Sequence, residues 1–101
     1  MEIAMDKSLV LNLLKTQIEV TRQRFGARHI AVFGSAARDE LSETSDIDVL
    51  VEFDGLPTFD NYTGLKFFLQ DLFKRRVDLV TRDSIKPRMR EIIERDLIRV
   101  A

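Results

Sequence analysis

The sequence predicts an α/β protein of the α+β type, a small mixed β-sheet covered by helices. Three observations predict it. Apolar residues recur at three- and four-residue spacing in three separate stretches, while others run or alternate as strands do. The two kinds interleave in the order helix, strand, turn, strand, helix, strand, helix. The length of 101 residues, with 45% hydrophobic and 33% charged, suits one small domain over residues 1–101 with a modest core.

From Asp6 to about Phe25, the residues Leu9, Val10, Leu13, Leu14, Ile18 and Phe25 form the stripe of an amphipathic helix, with Gly26 as its stop. His29-Ile30-Ala31-Val32-Phe33 reads as a buried strand entering a tight turn at Gly34-Ser35. Ala36 to about Leu41 supplies one or two helical turns, and Ser42-Glu43-Thr44-Ser45 a loop. Ile47, Val49, Val51 and Phe53 alternate with Asp48, Leu50 and Glu52, a strand with one strongly apolar face. Thr58 to Lys74 carries a second long helix on Tyr62, Leu65, Phe68, Leu69, Leu72 and Phe73, and Arg76 to Thr81 a third strand. Ser84 is the expected cap of a last helix with Pro87 in its first turn, and Leu97 to Val100 a short extended tail. The order of strands in the sheet does not follow from these patterns.

With 16 Lys+Arg against 17 Asp+Glu, net charge -1, the chain lacks the broad basic footprint of a protein that holds long nucleic acid by its phosphates. Direct nucleic-acid binding is therefore not expected. The absence of Cys excludes disulfides, thiolate metal sites and a cysteine nucleophile, and fits a reducing compartment, so the cytoplasm is the expected location. Glu2, Asp6, Lys7 and Lys15 interrupt the apolar residues of Met1 to Val20, and neither a signal peptide nor a membrane span is expected.

Three features carry chemistry: the Gly34-Ser35 turn leaving a strand, the Asp46-Ile47-Asp48 pair, and Asp78 between Val77 and Leu79. Glycine lets backbone approach a ligand, and free amides with a serine hydroxyl hold phosphate oxygens, although a Gly-Ser step is more often only a turn. Residues i and i+2 of a strand point to one face, so two carboxylates there either meet water or close on a cation. Mg²⁺ suits such a pair when substrate phosphates and water complete its octahedron. Asp is depleted in strands, so Asp78 is either solvent-exposed or a third ligand. Together these are parts for two-metal phosphoryl or nucleotidyl transfer. The residues alone leave polymerase-type transferase, nuclease and phosphatase open, with the phosphate turn favouring a triphosphate.

The run Val32-Phe33-Gly34-Ser35-Ala36-Ala37-Arg38-Asp39-Glu40, with Ser45-Asp46-Ile47-Asp48-Val49-Leu50-Val51 and the later Arg76-Val77-Asp78-Leu79-Val80, resembles the signature of minimal nucleotidyltransferases of the polymerase-beta superfamily. In particular it resembles the MNT-domain antitoxins of HEPN/MNT toxin-antitoxin pairs. The resemblance implies a polymerase-beta-like core in which Gly34 and Ser35 hold the triphosphate of ATP and Asp46, Asp48 and Asp78 hold two Mg²⁺. Arg38 stands where family members often carry Arg and would offset phosphate charge, or else is a surface residue. Asp39 departs from the frequent Gly after that Arg. The resemblance further implies transfer of AMP from ATP to a tyrosine of a HEPN ribonuclease toxin, silencing it. Nearly all 101 residues are used by the core, so the acceptor surface is expected from a partner.

Two rivals stand beside this expectation: a non-catalytic antitoxin that blocks the toxin by binding it, and a transferase subunit acting on RNA or a small molecule. The lone histidine, His29, reads as structural. Tyr62, Phe68 and Phe73 read as core, whereas Phe67 falls off the helical stripe and joins Phe59 in a candidate partner-binding patch. The alternating charges from Arg82 to Arg99 read as a solvated helix face.

Overall fold

In the computed structural model, which describes residues 5–101, the first amphipathic stretch forms two helices, α1 (Lys7–Thr16) and α2 (Ile18–Phe25). The break falls at Gln17, whose φ of -112° and ψ of 6° leave the helical range. Two backbone-directed bonds accompany it: Thr16 Oγ1 donates to the Leu13 carbonyl at 2.6 Å, and the Gln17 amide to the Leu14 carbonyl at 3.0 Å. The bend lets Val10 and Leu14 on one side, and Thr21 and Phe25 on the other, all reach buried positions. Gly26 ends α2 as expected, at φ 74°, its amide donating back to the last turn.

Strand β1 (Ala27–Phe33) begins two residues before the expected start and runs into a single turn, α3 (Gly34–Ala37). That turn is shorter than the stretch to Leu41 expected from sequence, because Asp39 takes the left-handed conformation at φ 59°. Asp tolerates this conformation better than most residues. Here its carboxylate also accepts the Lys7 amide at 2.9 Å, tying the start of α1 to the end of α3. Asp39, where the resemblance led to the expectation of Gly, thus adopts a backbone shape in which Gly is favoured.

β2 (Ile47–Phe53) follows, then α4 (Phe59–Phe73), capped by Thr58 Oγ1 accepting the Asn61 amide at 3.0 Å, then β3 (Val77–Thr81). Ser84 does not cap the last helix. It lies in a 3-10 turn, Arg82–Ser84, and its hydroxyl donates to the Thr81 carbonyl at 2.9 Å, so α5 (Pro87–Asp96) starts at Pro87. Proline has no amide to leave unpaired at a helix start. The expected tail is strand β4 (Ile98–Arg99).

The sheet order is β3-β2-β1-β4, with β2/β3 parallel and β1 antiparallel to both β2 and β4. Ile47, Val49 and Val51 of β2 are fully buried with Ile30 and Val32 of β1, against Val10 and Leu14 of α1, Phe25 of α2, and Leu65, Leu69 and Phe73 of α4. The helices cover this face closely. The opposite face carries Asp48, Leu50 and Glu52 and, among the described residues, receives α5, whose one buried residue is Ile93, with Arg82 and Ile85 beside it. No helix among the described residues is long and apolar enough to cross a membrane.

Candidate active site

The sheet register brings three of the sequence-predicted residues to one end of the open face. Phe33 of β1 pairs with Asp48 of β2, and Asp48 pairs with Asp78 of β3. Gly34 therefore follows directly beside the Asp48 carboxylate. At φ 68°, a Cβ on Gly34 would lie 2.2 Å from Asp48 Oδ2, so any other residue would displace the carboxylate or the turn. Ser35 is the next residue of that turn and is half-buried.

Asp46 stands one residue before β2, with Oδ1 3.5 Å from Arg76 Nε. The backbone around it is held by bonds that sequence patterns did not indicate. Arg75 Nη1 donates to the carbonyls of Ser42 at 2.7 Å and Ser45 at 3.1 Å, and the Ile47 amide donates to the Arg76 carbonyl at 3.0 Å. The segment entering β3 thus fixes the loop that delivers Asp46. On the far side of β3, the half-buried Tyr62 of α4 donates its hydroxyl to the Leu79 carbonyl, next to Asp78.

Asp48 is the electrostatic centre of the group. Burial pushes its carboxyl up to about 6 from an ordinary 3.8, the charges of Asp78 and Asp46 push the same way, and only Arg38 opposes them. Arg38 is itself held from two sides, Nη1 donating to Asp96 Oδ2 at 2.7 Å and Nε to Glu40 Oε2 at 3.1 Å. Asp96 lies 58 residues away at the end of α5, and no local spacing pointed to it.

Among the described residues, no three acidic, histidine or cysteine side chains stand close enough together to hold an ion as they are placed. The donor set nevertheless fits a hard divalent cation in its chemistry. The carboxylates supply oxygen donors, and beside the burial that chiefly raises the Asp48 carboxyl, the charges of Asp78 and Asp46 crowd it in a way a cation would relieve. His29 takes no part; its Nδ1 lies 3.3 Å from the Ala101 carbonyl oxygen, a structural contact at the sheet edge.

A strand-turn motif beside an acidic strand, with a further acidic residue on the parallel neighbour, supplies the parts for metal-assisted phosphoryl or nucleotidyl transfer. Residues 14–100 match the family described as nucleotidyltransferase domain. Protein adenylyltransferase MntA of Thermococcus cleftensis is 37% identical over 89 residues, covering 88% of this chain and 90% of its own. A solved structure provisionally described as a minimal nucleotidyltransferase superposes with a TM-score of 0.79 at 36% identity, covering 96% of this chain and 98% of the other. A Shewanella oneidensis complex of tri-AMPylated HEPN toxin with MNT antitoxin shares the fold, with a TM-score of 0.67 at 18% identity over 94% of this chain and 71% of that one. The chain belongs to the nucleotidyltransferase domain family.

Proposed function

We propose that this nucleotidyltransferase is an antitoxin that transfers AMP from ATP, with Mg²⁺, to a tyrosine hydroxyl of a HEPN-type ribonuclease toxin and so neutralises it. The observation that carries the proposal is the meeting of Gly34, Asp48 and Asp78 at one end of the open sheet face. Relatives named for protein adenylylation, and the shared fold with an MNT antitoxin seen on an AMPylated toxin, support the choice of donor and acceptor.

Bound at Asp46, Asp48 and Asp78, two Mg²⁺ would supply charge neutralisation at the phosphates and a more acidic acceptor hydroxyl. The amides and hydroxyl of Gly34 and Ser35 hold the outer phosphates, and Arg38 lends its positive charge beside them. The acceptor hydroxyl gives up its proton to water, its oxygen bonds to the α-phosphorus from the Asp78 side, and the bond to pyrophosphate breaks on the Gly34 side. Asp48 must be ionised to serve here, which the neighbouring positive charge favours.

One feature also supports a binding contribution to neutralisation. Leu56, just before α4, and Phe59 and Phe67 on it are exposed at 95%, 81% and 61%, apolar side chains that a partner would cover. The test is ATP labelled at the α-phosphate, with Mg²⁺, added to lysate of the source cell. Label moves to one protein band with the wild type and not with Asp46→Asn/Asp48→Asn. Transfer by the double variant overturns the catalytic assignment. Label on RNA or a small molecule redirects it to another acceptor, and full protection of cells by the inactive variant assigns neutralisation to binding alone.

A further inference from the structure

α5 covers the open face incompletely. Over Ala31 and Leu50 it leaves a cavity of about 250 Å³, and Ile93 is its one buried residue. Its last residue is held differently. Asp96 Oδ2 accepts from Arg38 Nη1 at 2.7 Å, the one side-chain hydrogen bond by which α5, among the described residues, reaches another element. Helix energetics alone disfavour a carboxylate there. Asp is a poor helix former, and the C-terminal end of a helix carries partial negative charge that favours Arg or Lys. The Asp96 side chain is nevertheless only 21% exposed, against 64% for Glu40, the other carboxylate on Arg38.

The strand that follows α5 accounts for its place. In the antiparallel pairing of β1 with β4, Val32 stands opposite Ile98. Gly34 comes two residues after Val32, and Asp96 two residues before Ile98, so the same register carries the end of α5 to the turn that begins at Gly34. The backbone at Arg38 is fixed as well. Its amide donates to the Gly34 carbonyl at 3.1 Å, and the next residue, Asp39, accepts the Lys7 amide at 2.9 Å. What remains free at that point is a long side chain with much rotamer freedom to lose. Glu40 meets it in solvent, where ion pairs hold a geometry weakly. Asp96 is the shielded partner, and Arg38 Nη2 pairs with nothing among the described residues.

We propose that Asp96 is a positioning residue that holds the Arg38 guanidinium toward the outer phosphates of the donor nucleotide, an inference that rests on the nucleotidyl-transfer reading. A guanidinium presents several N–H donors in a rigid plane, so one edge stays with Asp96 while Nη2 is offered to a phosphate oxygen. The gain is pre-organisation, because the side chain is ordered before the nucleotide arrives. The outer phosphates are present in bound ATP and in the transition state alike. Loss of Asp96 therefore weakens ATP binding and leaves the rate of the bound complex as it was.

The test is initial transfer of α-phosphate label from ATP, with Mg²⁺, to the acceptor in desalted lysate of the source cell over a range of ATP concentrations. Wild type, Asp96→Asn, Arg38→Ala and the double variant are compared. Asp96→Asn keeps the shape and removes the charge, and is expected to raise the KM for ATP roughly tenfold with kcat unchanged. In the Arg38→Ala background the same substitution is expected to leave KM unchanged, since nothing is left for it to position. A clasp that only docks α5 gives another result: less folded enzyme lowers kcat at constant KM in both backgrounds, which overturns the proposal. A lower KM in Asp96→Asn shows that Asp96 holds Arg38 back from the phosphates and overturns it too. Should Asp96→Asn not fold, Asp96→Glu, which keeps the charge and displaces it, decides by the same change in KM. Wild type that transfers no label fails the nucleotidyl-transfer reading and this role with it, whereas active wild type with the KM of Asp96→Asn strikes Asp96 alone.

Discussion

The two faces of β2 differ by one residue in sequence and by almost everything in environment. Ile47, Val49 and Val51 are fully excluded from solvent, while Asp48, Leu50 and Glu52, alternating with them, are half-buried on a face that α5 partly covers. Burying a large aliphatic side chain contributes roughly 1.5–3 kcal/mol. Three such residues on one face hold the strand in place against the cost of a carboxylate that its neighbours push toward neutrality on the other. Apolar burial and crowded charge are thus separated on a single strand by its period of two.

That separation can be broken in order of expected size. Leu69→Ala on the packed side is expected to cost about 2–5 kcal/mol in denaturant unfolding, the usual range for a buried leucine. Asp48→Asn, on the open side, is expected to leave stability unchanged or higher, because it removes a charge crowded by Asp78 and Asp46. A loss for Asp48→Asn as large as that for Leu69→Ala would show that the open face bears the fold after all.

Gly34→Ala probes the seam between the faces. The positive φ alone costs about 1–2 kcal/mol in a residue with a Cβ, and the 2.2 Å approach to Asp48 Oδ2 adds displacement of that carboxylate. The expected result is a modest fall in Tm with nucleotide transfer reduced more than a hundredfold. A variant as active as wild type would mean that Asp48 is free to move.

The smallest effect is a pH dependence. A carboxyl raised from 3.8 to about 6 binds its proton more tightly when folded, so this group's stabilising contribution is present below about 3.8 and is lost as pH rises through about 6. Urea unfolding between pH 4 and 7 should show that decline in wild type and a flatter profile in Asp48→Asn. Added Mg²⁺ should diminish it, since a bound cation favours the ionised carboxylate. Identical profiles would remove Asp48 from the electrostatic centre.

Most element types and the three acidic residues could be read from local signals. Alternation from Ile47 to Phe53, helical spacing from Thr58 to Phe73 and the stop at Gly26 each depend on a few neighbouring residues and the intrinsic geometry of the backbone. The departures arose where a side chain found an unforeseen backbone partner. Thr16 bonded to Leu13 beside the break at Gln17, and Ser84 bonded to Thr81 instead of capping α5. Periodicity registers where apolar groups fall and is blind to such competing hydrogen bonds.

The sequence by itself determined that an acidic residue would stand on the polar face of a strand after a glycine turn, and that another would lie on a later strand; Asp46, expected to share that strand face, stands instead in the loop one residue before β2. Only the tertiary structure decided that Asp48 and Asp78 are register partners, that Gly34 touches Asp48, that Asp96 holds Arg38, and that α5 leaves a cavity over Leu50. The physical reason is range. Backbone periodicity and turn chemistry act over a few residues, whereas strand order, register and the docking of α5 depend on which distant apolar surfaces bury one another.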